Sequence, residues 1–295
     1  MDEQMIGSEH QAPGLRLDYD FPGCRHRVRE RLFDPNLIRN FNEIQGCRVA
    51  CVCDRKSGRR QYVKTRFPGI PVTDDLNQVL AAEEVDVVVV ATPVSTHREI
   101  ALAALEAGKP GIGAQTSSVD VIWDLATHDL SISYYLWERK PAEVSAYGYR
   151  YQHPKLIDTA FIHLHFEDGS AAIHHVSWLC PQKTRRYFLA GKRGSLLFDD
   201  TREDRMLCFI DQGLDSRIGA KDDEVKELYY KPGKVSYPSL KRVQPLRAAC
   251  ENFLNCIRKS EKLRSDGHAG LAVVEMLEAA ELSIAEGSKP IHLTD

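Results

Sequence analysis

The stretch "VDVVVVATPVSTHREIALAALEAGK", residues 85–109, decides the fold of this chain. Its first part, residues 85–93, is a nearly continuous run of β-branched apolar residues, which is typical of a strand covered on both faces in a parallel sheet. The part that follows, residues 95–108, has the apolar spacing of a helix and ends at Gly108. The stretch therefore predicts a strand followed by a helix, the repeating unit of an α/β domain.

The sequence before this stretch repeats the pattern. "DPNLIRNFNEI" (34–44) predicts a helix with Asp34 as N-cap and Pro35 at its first position, and "CRVACVCD" (47–54) predicts a second buried strand. Residues 1–46 contain no G-x-G-x-x-G motif, and the best candidate for a first strand, "GLRLDYDF" (14–21), alternates with charged residues. We therefore expect an incomplete Rossmann-like parallel-sheet domain, assigned to residues 27–118.

A different pattern begins near residue 144, where apolar and polar residues alternate as in strands with one solvated face. Asp168-Gly169 lies between two such runs and predicts a hairpin turn. Two helical segments follow, the second with Ser265 as a plausible N-cap. The expected strands are "VSAYGYRY", "DTAFIHLHF", "SAAIHHVSW", "RRYFLAG" and "GSLLFDD". Residues 119–295 thus predict an α+β domain with a mixed or antiparallel open sheet, so that the fold class is α/β plus α+β.

Asp54 follows the buried strand 47–54 and is the candidate for cofactor binding at this edge. In dinucleotide-binding folds an acidic residue at this place accepts hydrogen bonds from the ribose hydroxyl groups, which favours NAD over NADP. Arg55 and the nearby Arg59 and Arg60 leave NADP open, because an arginine can bind a 2′-phosphate. The alternative for Asp54 is a turn residue that only ends the strand.

Three residues at the end of the next strand are further cofactor-binding candidates. Thr92 and Pro93 end the strand at the carboxyl edge, where open α/β sheets bind ligands, and His97 lies in the first turn of the following helix. Each also has a purely structural interpretation. Thr92-Pro93 can simply stop the strand, and His97 can be a surface residue of the helix.

"VDVIWDLATHDLSI" (119–132) contains the candidate catalytic pair, Asp124 and His128. Its apolar spacing is helical, and residues four apart share one face of a helix. Histidine can take and return a proton near neutral pH, as a general acid and base must. The alternatives are a pair on a helix surface, an N-cap pattern or a local turn.

Composition narrows the class of protein. The 295 residues carry a formal net charge of -3, so the charge gives no case for nucleic-acid binding. No apolar run approaches membrane-spanning length, no signal peptide is visible and no cysteines have C-x-x-C spacing, so we expect a reduced, cytoplasmic protein.

Four histidines fall on two adjacent predicted strands (His163, His165, His174 and His175), but acidic neighbours are few and we expect no metal site.

The chain resembles the Gfo/Idh/MocA family of glucose-fructose oxidoreductase and inositol dehydrogenase-like proteins. The resemblance lies in "PNLIRNFNEIQGCRVACVCD", "VDVVVVATPVSTHREIALAALEAGK", "DVIWDLATHDLSI" and the carboxyl-terminal "PLRAACENFLNCIR" with "SDGHAGLAVVEMLEAAELSI". It implies an NAD(P)-dependent oxidoreductase that transfers hydride between the nicotinamide and a secondary alcohol of a sugar, cyclitol or nucleotide-linked sugar. It also implies His128 as acid and base, Asp124 as the residue that orients substrate or imidazole, and homo-oligomer contacts through the carboxyl-terminal sheet.

The sequence departs from the family pattern in two places. The family carries a Glu-Lys-Pro motif after the "EAGK" run, whereas here Lys109-Pro110 belongs to that run and no lysine follows before Lys140. The family also has several tens of residues where this chain has only "PGIGAQTSS" (110–118). The alternative function is therefore a catalytically inactive homologue, or a deletion product, that retains the oligomerising sheet domain.

Overall fold

The computed structural model describes residues 35–92, 94–113, 120–182, 184–202, 204–212, 214–215, 229–230, 233–241, 243–259, 263 and 265–293. The amino-terminal half alternates helices and strands: α1 (Pro35–Glu43), β1 (Val52–Cys53), α2 (Ser57–Arg66), β2 (Val72–Thr73), α3 (Leu76–Ala81), β3 (Val88–Val90), α4 (Val94–Glu106) and β4 (Gly111–Gly113). β1 pairs in parallel with β2, and β3 pairs in parallel with β4. This order is that of a Rossmann-like α/β domain.

The predicted elements of this half are present, although the strands are shorter than expected. The run 47–54 forms only the two-residue β1, and 85–93 forms the three-residue β3. β4 is an element that the sequence did not predict, because "PGIGAQTSS" was interpreted only as a shortened connection. Asp34 and the candidate first strand 14–21 lie outside the described residues.

Helices pack on both faces of β3. One apolar cluster joins α1 (Leu37, Phe41) to Phe253 of the carboxyl-terminal part, with Val87 and Val89 beside it. A second cluster packs other side chains of β1 and β3 against residues of α3 and α4; it includes Cys51, Cys53, Val79, Val88, Val90 and Ala104. Burial raises the pKa of the Cys51 and Cys53 thiols. β3 is therefore covered on both faces, as its continuous apolar run predicted.

The carboxyl-terminal half begins with a π-helical turn (Ile122–Ala126) that continues into α5 (Thr127–Trp137). The strands that follow are β5 (Glu143–Tyr149), β6 (Thr159–His165), β7 (Ala171–Ser177), β8 (Arg186–Gly191), β9 (Gly194–Asp199), β10 (Leu207–Asp211), β11 (Leu214–Asp215), β12 (Tyr229–Tyr230) and β13 (Lys234–Ser236). Helices α6 (Pro245–Lys259) and α7 (Gly267–Ala285) and strand β14 (Ile291–His292) complete the described chain.

Two antiparallel four-stranded sheets dominate this half, in the orders β14-β5-β6-β7 and β13-β10-β9-β8. The register of the first sheet aligns Tyr147, Phe161 and His175 across three strands. Gly169 in the predicted hairpin has a φ of +79°, a left-handed conformation that suits glycine, and Asp168 Oδ1 accepts hydrogen bonds from Ser170. The alternating pattern thus correctly predicted antiparallel strands with one open face.

The main core lies between the first sheet and the helices that cover one of its faces. Val144, Ile162 and Leu164 of the sheet pack with Leu130 of α5 and Met276 of α7. On α7, the N-cap is Asp266, whose Oδ1 accepts a hydrogen bond from Ala269 N–H, so the expectation that Ser265 caps this helix is wrong by one residue. An aspartate is as good a cap as serine, and the backbone of Asp266 has the extended conformation that a cap needs.

Candidate active site

The segment with the candidate catalytic pair begins at a capping residue that the sequence did not single out, Asp120. Its Oδ1 accepts hydrogen bonds from the N–H groups of Ile122 (3.0 Å) and Trp123 (3.4 Å). Burial raises the pKa of this carboxyl, and the two N–H donors oppose that change. Val121 N–H donates to Ile157 O at 3.0 Å, which fastens the start of the segment to the β5–β6 connection.

Asp124 lies in the π-helical turn that follows, and His128 lies in the first turn of α5, whereas the sequence predicted one regular helix. Residues four apart remain close to one face in a π-turn as in an α-helix, and π-turns often occur at functional sites. His128 is exposed, and its imidazole has no hydrogen-bond partner among the described residues. An exposed histidine beside a half-buried carboxylate is therefore open to a ligand.

Trp178, just beyond β7, holds the carboxylate of Asp124. Its indole N–H donates to Asp124 Oδ2 at 2.9 Å, across 54 positions of sequence. Its backbone N–H donates to Asp158 O at 2.9 Å. The aspartate of the pair thus has a fixed position, set by a side chain from the open sheet.

Asp158, whose carbonyl oxygen accepts the backbone hydrogen bond of Trp178, is itself held in place by several hydrogen bonds. Its side chain is buried, and Oδ2 accepts hydrogen bonds from Tyr151 N–H (2.8 Å), Gln152 N–H (2.7 Å) and His153 N–H (3.3 Å). Three backbone donors on one carboxylate oxygen order the β5–β6 connection. The same connection binds the segment of the candidate pair at Val121.

Asp54 lies directly after β1, at the carboxyl edge of the parallel strands, with its side chain 12% exposed. Oδ1 accepts a hydrogen bond from Lys56 N–H at 2.8 Å, and Oδ2 lies 3.4 Å from Arg59 Nη1. Arg60 binds the carbonyl groups of Asp54 and Arg55, while the Arg55 side chain is exposed. Asp54 therefore organises a strand-end turn and also presents a carboxylate at the ligand edge, so both interpretations of this residue have structural support.

Thr92 and His97 bind each other at the end of β3. His97 Nε2 is 2.6 Å from the carbonyl oxygen of Thr92, and Thr96 Oγ1 donates to Thr92 Oγ1 at 2.8 Å. His97 is half-buried, which differs from the surface position considered as its alternative. Pro93 lies outside the described residues.

Lys109, the lysine of the "EAGK" run, has a structural position. Its Nζ donates to Ala82 O at 2.8 Å and to Val85 O, which ties the end of α4 to the turn before β3. Lys140 pairs with Glu275 at 3.2 Å. Lys109 and Lys140 thus bind protein groups, whereas the family's Glu-Lys-Pro lysine contacts the reacting hydroxyl group.

A different face of α5 carries polar contacts to the sheets. Tyr187 OH donates to Asp129 Oδ1 at 2.6 Å, and Ser133 Oγ lies 3.0 Å from His174 Nε2. Burial, followed by the hydrogen bond to Asp129, raises the pKa of Tyr187, and burial lowers the pKa of His174. Because these contacts reach both sheets, they fix the rotation of α5 about its axis and hence the direction of its catalytic face.

The described residues fit the adenosine end of a dinucleotide. Asp54 supplies the carboxylate acceptor at the carboxyl edge of a parallel strand, where such ligands bind. Among the residues that the structure describes, no cluster of three or more His, Cys, Asp or Glu side chains is arranged to hold a metal ion. Nor is any of the described helices both long and apolar enough to cross a bilayer.

Curated relatives match limited parts of the chain. An inositol 2-dehydrogenase of Rhodococcus erythropolis is 41% identical over 91 residues, which are 31% of this chain and 26% of that protein. An α-N-acetylgalactosaminidase of Tannerella forsythia is 27% identical over 121 residues, 37% of this chain and 25% of that protein. The chain thus matches about a quarter of the length of these relatives.

Solved structures resemble the fold over most of the chain. An oxidoreductase from Agrobacterium radiobacter, solved with NAD⁺, L-tartaric acid and magnesium, has a TM-score of 0.70 at 16% identity, covering 87% of this chain and 94% of its own. The UDP-N-acetylglucosamine 3-dehydrogenase of Acidithiobacillus ferrooxidans has a TM-score of 0.69 at 19% identity, covering 84% of this chain and 94% of its own. At these identities the likeness establishes the fold.

Family models account for both halves. Residues 32–112 match the NAD-binding Rossmann fold of the oxidoreductase family, and residues 114–293 match its carboxyl-terminal α/β domain. The second match alone spans more than half of the chain, and the order of the two matches is the order of the two halves in the structure. The chain therefore belongs to the Gfo/Idh/MocA oxidoreductase family.

Proposed function

We propose that this protein is an NAD(P)-dependent dehydrogenase that oxidises or reduces a secondary alcohol of a sugar, cyclitol or nucleotide-linked sugar, with His128 and Asp124 as its catalytic residues. The observation that carries the proposal is the fixed Asp124 beside the open His128, on a segment anchored at Asp120 and Trp178. The inositol 2-dehydrogenase relatives support the substrate class.

His128 takes the proton of the substrate hydroxyl group when the alcohol is oxidised and returns it in the reverse reaction. Its exposure lets the substrate reach the imidazole, and its place one turn after Asp124 puts both side chains on the same side of the substrate. Among the described residues, Asp124 accepts a hydrogen bond from Trp178 through Oδ2 and none through Oδ1, which can therefore orient the substrate or the imidazole.

Asp54, Arg55, Thr92, Pro93 and His97 form the proposed cofactor edge, within the amino-terminal domain assigned to residues 27–118. Asp54 accepts hydrogen bonds from the ribose hydroxyl groups. When NADP is bound, the guanidinium group of Arg55 or Arg59 binds the 2′-phosphate. Thr92 and His97, held together at the end of β3, line the strand edge beside it. When bound, the nicotinamide supplies the hydride acceptor of the oxidation.

A titration with NADH tests the proposal. We expect saturable protection of the protein against thermal unfolding at micromolar to millimolar NADH, because a ligand that binds only the folded state stabilises it. Asp54→Ala should weaken NADH protection or shift preference towards NADPH. His128→Ala should keep the NADH protection and abolish turnover of myo-inositol or UDP-sugars.

The alternative is a catalytically inactive homologue, or a deletion product, that retains the oligomerising sheet domain and has lost the cofactor chemistry. The absence of a lysine between Pro110 and Lys140 favours it, as do the contacts that occupy Lys109. Unchanged unfolding temperatures at several millimolar NADH and NADPH would establish the alternative and reject the dehydrogenase.

We also propose self-association through the open face of the sheet β14-β5-β6-β7. Tyr147, Phe161 and His175 stand in one row across this face, and Ile173 on the same face is 75% exposed. Phe161 and His175 stack with ring centroids 4.4 Å apart. An apolar and aromatic face of this kind is typical of a surface covered by a partner.

The seven described cysteines are free thiols, which supports a reducing, cytoplasmic compartment.

A further inference from the structure

The second sheet carries a pocket that the proposed dehydrogenase site does not use. Its volume is about 140 Å³, and its lining comes from all four strands of the sheet or the residues next to them: Arg186, Leu197, Asp199, Arg202, Arg205, Cys208 and Tyr237. The lining contains three guanidinium groups and one carboxylate, a surplus of two positive charges.

Asp199 arranges the arginines of this pocket. Its side chain is only 4% exposed; Oδ1 accepts hydrogen bonds from the Thr201 N–H (3.0 Å) and hydroxyl (2.5 Å), and Oδ2 accepts one from Arg186 Nε (2.8 Å). Arg202 Nε lies 3.5 Å from the same oxygen. The Thr201 hydroxyl, with Arg186, holds the pKa of Asp199 down at about 2, so the carboxylate is ionised near neutral pH.

The contacts with Asp199 use the Nε atoms of both arginines. Among the described residues, the Nη groups of Arg186 and Arg202 have no hydrogen-bond acceptor. Arg205 adds a third guanidinium, held 4.9 Å above the ring of Tyr237, with a distant ion pair to Asp204 at 3.8 Å. The carboxylate thus fixes two guanidinium groups from one side and leaves the donors best suited to bidentate binding of an anion.

We propose that this pocket binds the dianionic phosphoryl group of a small molecule. Three guanidinium groups beside one carboxylate in the lining attract an anion, and planar guanidinium donors match phosphate oxygens. Leu197, Cys208 and the ring of Tyr237 supply an apolar wall for the organic part of such a ligand. Neither Asp124 nor His128 lines this pocket.

Calorimetric titration of the full chain with inorganic phosphate, at ionic strength held constant with sodium chloride, tests this site. We expect saturable binding with one phosphate per chain, and at least a tenfold loss of affinity in Arg202→Gln/Arg205→Gln. The matched control is Arg193→Gln, which removes the same charge from the exposed β8–β9 turn of the same sheet. Arg205→Gln alone, which leaves every hydrogen bond of Asp199 in place, should also weaken binding and serves if the double variant fails to fold.

Three outcomes would overturn the proposal. The first is no saturable heat with phosphate, and the second is equal loss of binding in Arg193→Gln and the pocket variants. The third is tighter binding of succinate, a dicarboxylate of the same charge, which would make the pocket a carboxylate site. Because NADH also carries phosphoryl groups, the NADH protection of the pocket variants is measured in parallel; unchanged protection with lost phosphate binding separates the two sites.

Discussion

At the scale of single residues, the candidate site depends on one contact between distant parts of the chain. Asp124 and His128 are recognisable from their spacing, but the hydrogen bond that fixes Asp124 comes from Trp178, 54 positions away. Nothing in the sequence marks this tryptophan as part of the site. It follows a β-strand in the alternating region, where an aromatic residue is an ordinary component of a sheet.

Replacing Trp178 with phenylalanine should lower turnover without unfolding the protein. The substitution keeps an aromatic ring and removes only the indole donor to Asp124 Oδ2, so the carboxylate loses its fixed position. We expect kcat to fall on the order of tenfold, which corresponds to ~1.4 kcal/mol, with a smaller change in KM. Steady-state kinetics with NAD and myo-inositol measure the effect.

Trp137→Phe is the matched control for this substitution. It also removes one indole hydrogen bond, that from Nε1 to Ser170 Oγ at 2.7 Å, but at the far end of α5. We expect turnover to be unchanged there. Equal losses of kcat in both variants would mean that Trp178 has no role in positioning Asp124.

At the scale of elements, α7 holds the sheet through a buried hydroxyl group. Strand β14 pairs with β5 only at Glu143 and Val144. The N–H of Ala146 therefore has no partner on β14. Ser283 accepts a hydrogen bond from this N–H at 2.9 Å and donates to Lys289 O at 2.6 Å. The fully buried side chain of Ser283 thus satisfies a backbone N–H of β5 and also links α7 to the segment that follows it.

Ser283→Ala should destabilise the fold by about 1–3 kcal/mol, because it leaves a buried N–H donor and a carbonyl acceptor without partners. The free energy of unfolding in urea measures the loss. Ser131→Ala on the exposed side of α5 is the control and should change that free energy by less than about 0.5 kcal/mol. A loss at Ser283 as small as that of the control would contradict the role assigned to this hydroxyl.

The contact between α5 and β7 should make stability depend on pH. Burial lowers the pKa of His174 below its ordinary value of 6.5, while Asp129 opposes this change. The unfolded chain therefore takes up a proton at a higher pH than the folded protein does, and stability falls as the pH drops below about 6.5. The loss amounts to at most about 1.4 kcal/mol for each unit by which the pKa is lowered.

His174→Gln should reduce this pH dependence, since glutamine does not titrate and can still bind Ser133. Urea unfolding at half-unit intervals from pH 5 to pH 8 gives the comparison. Between pH 7 and pH 8, where His174 is neutral in both states, the slopes of the variant and the wild type should agree. Identical slopes below pH 6.5 as well would show that His174 does not contribute.

At the scale of the whole molecule, the two halves differ in how much sheet they build. The amino-terminal half has short parallel pairs enclosed by helices, whereas the carboxyl-terminal half has two larger antiparallel sheets, one with an exposed aromatic row. Helix α6 belongs to the second half by sequence but packs on α1 through Phe253 and Leu254. Arg258 of the same helix binds the carbonyl oxygens of Gln45 and Gly46.

Ile173→Asp should disrupt the proposed oligomer, because it places a charge on the open face of β7 where a partner would bury it. Light scattering after size-exclusion chromatography should give a multiple of the 33.3 kDa chain for the wild type and a lower mass for the variant. The control is Leu105→Asp on α4, which is 61% exposed and lies far from this sheet in sequence. A wild type that is monomeric at high concentration would exclude self-association through this face.

The sequence by itself determined the helices and strands whose apolar patterns are strong, but it did not predict shorter elements such as β4. The apolar run 85–93, the alternating run from 144 onward and the hairpin at Asp168-Gly169 all report local geometry, because helix and strand periods are fixed by the backbone. The family follows from the same segments together with the spacing of Asp124 and His128. The π-helical turn that contains Asp124 was not predicted, since the helical spacing of the segment does not distinguish it from an α-helical turn.

Only the tertiary structure decided which side chains meet. The Trp178–Asp124 bond, the Ser283–Ala146 bond and the arginine pocket around Asp199 join residues from different elements. Such contacts depend on the register of strands and the rotation of helices, which a local pattern does not contain. Ser283 and Ala146 are 137 positions apart, and their meeting follows from the packing of α7 on β5.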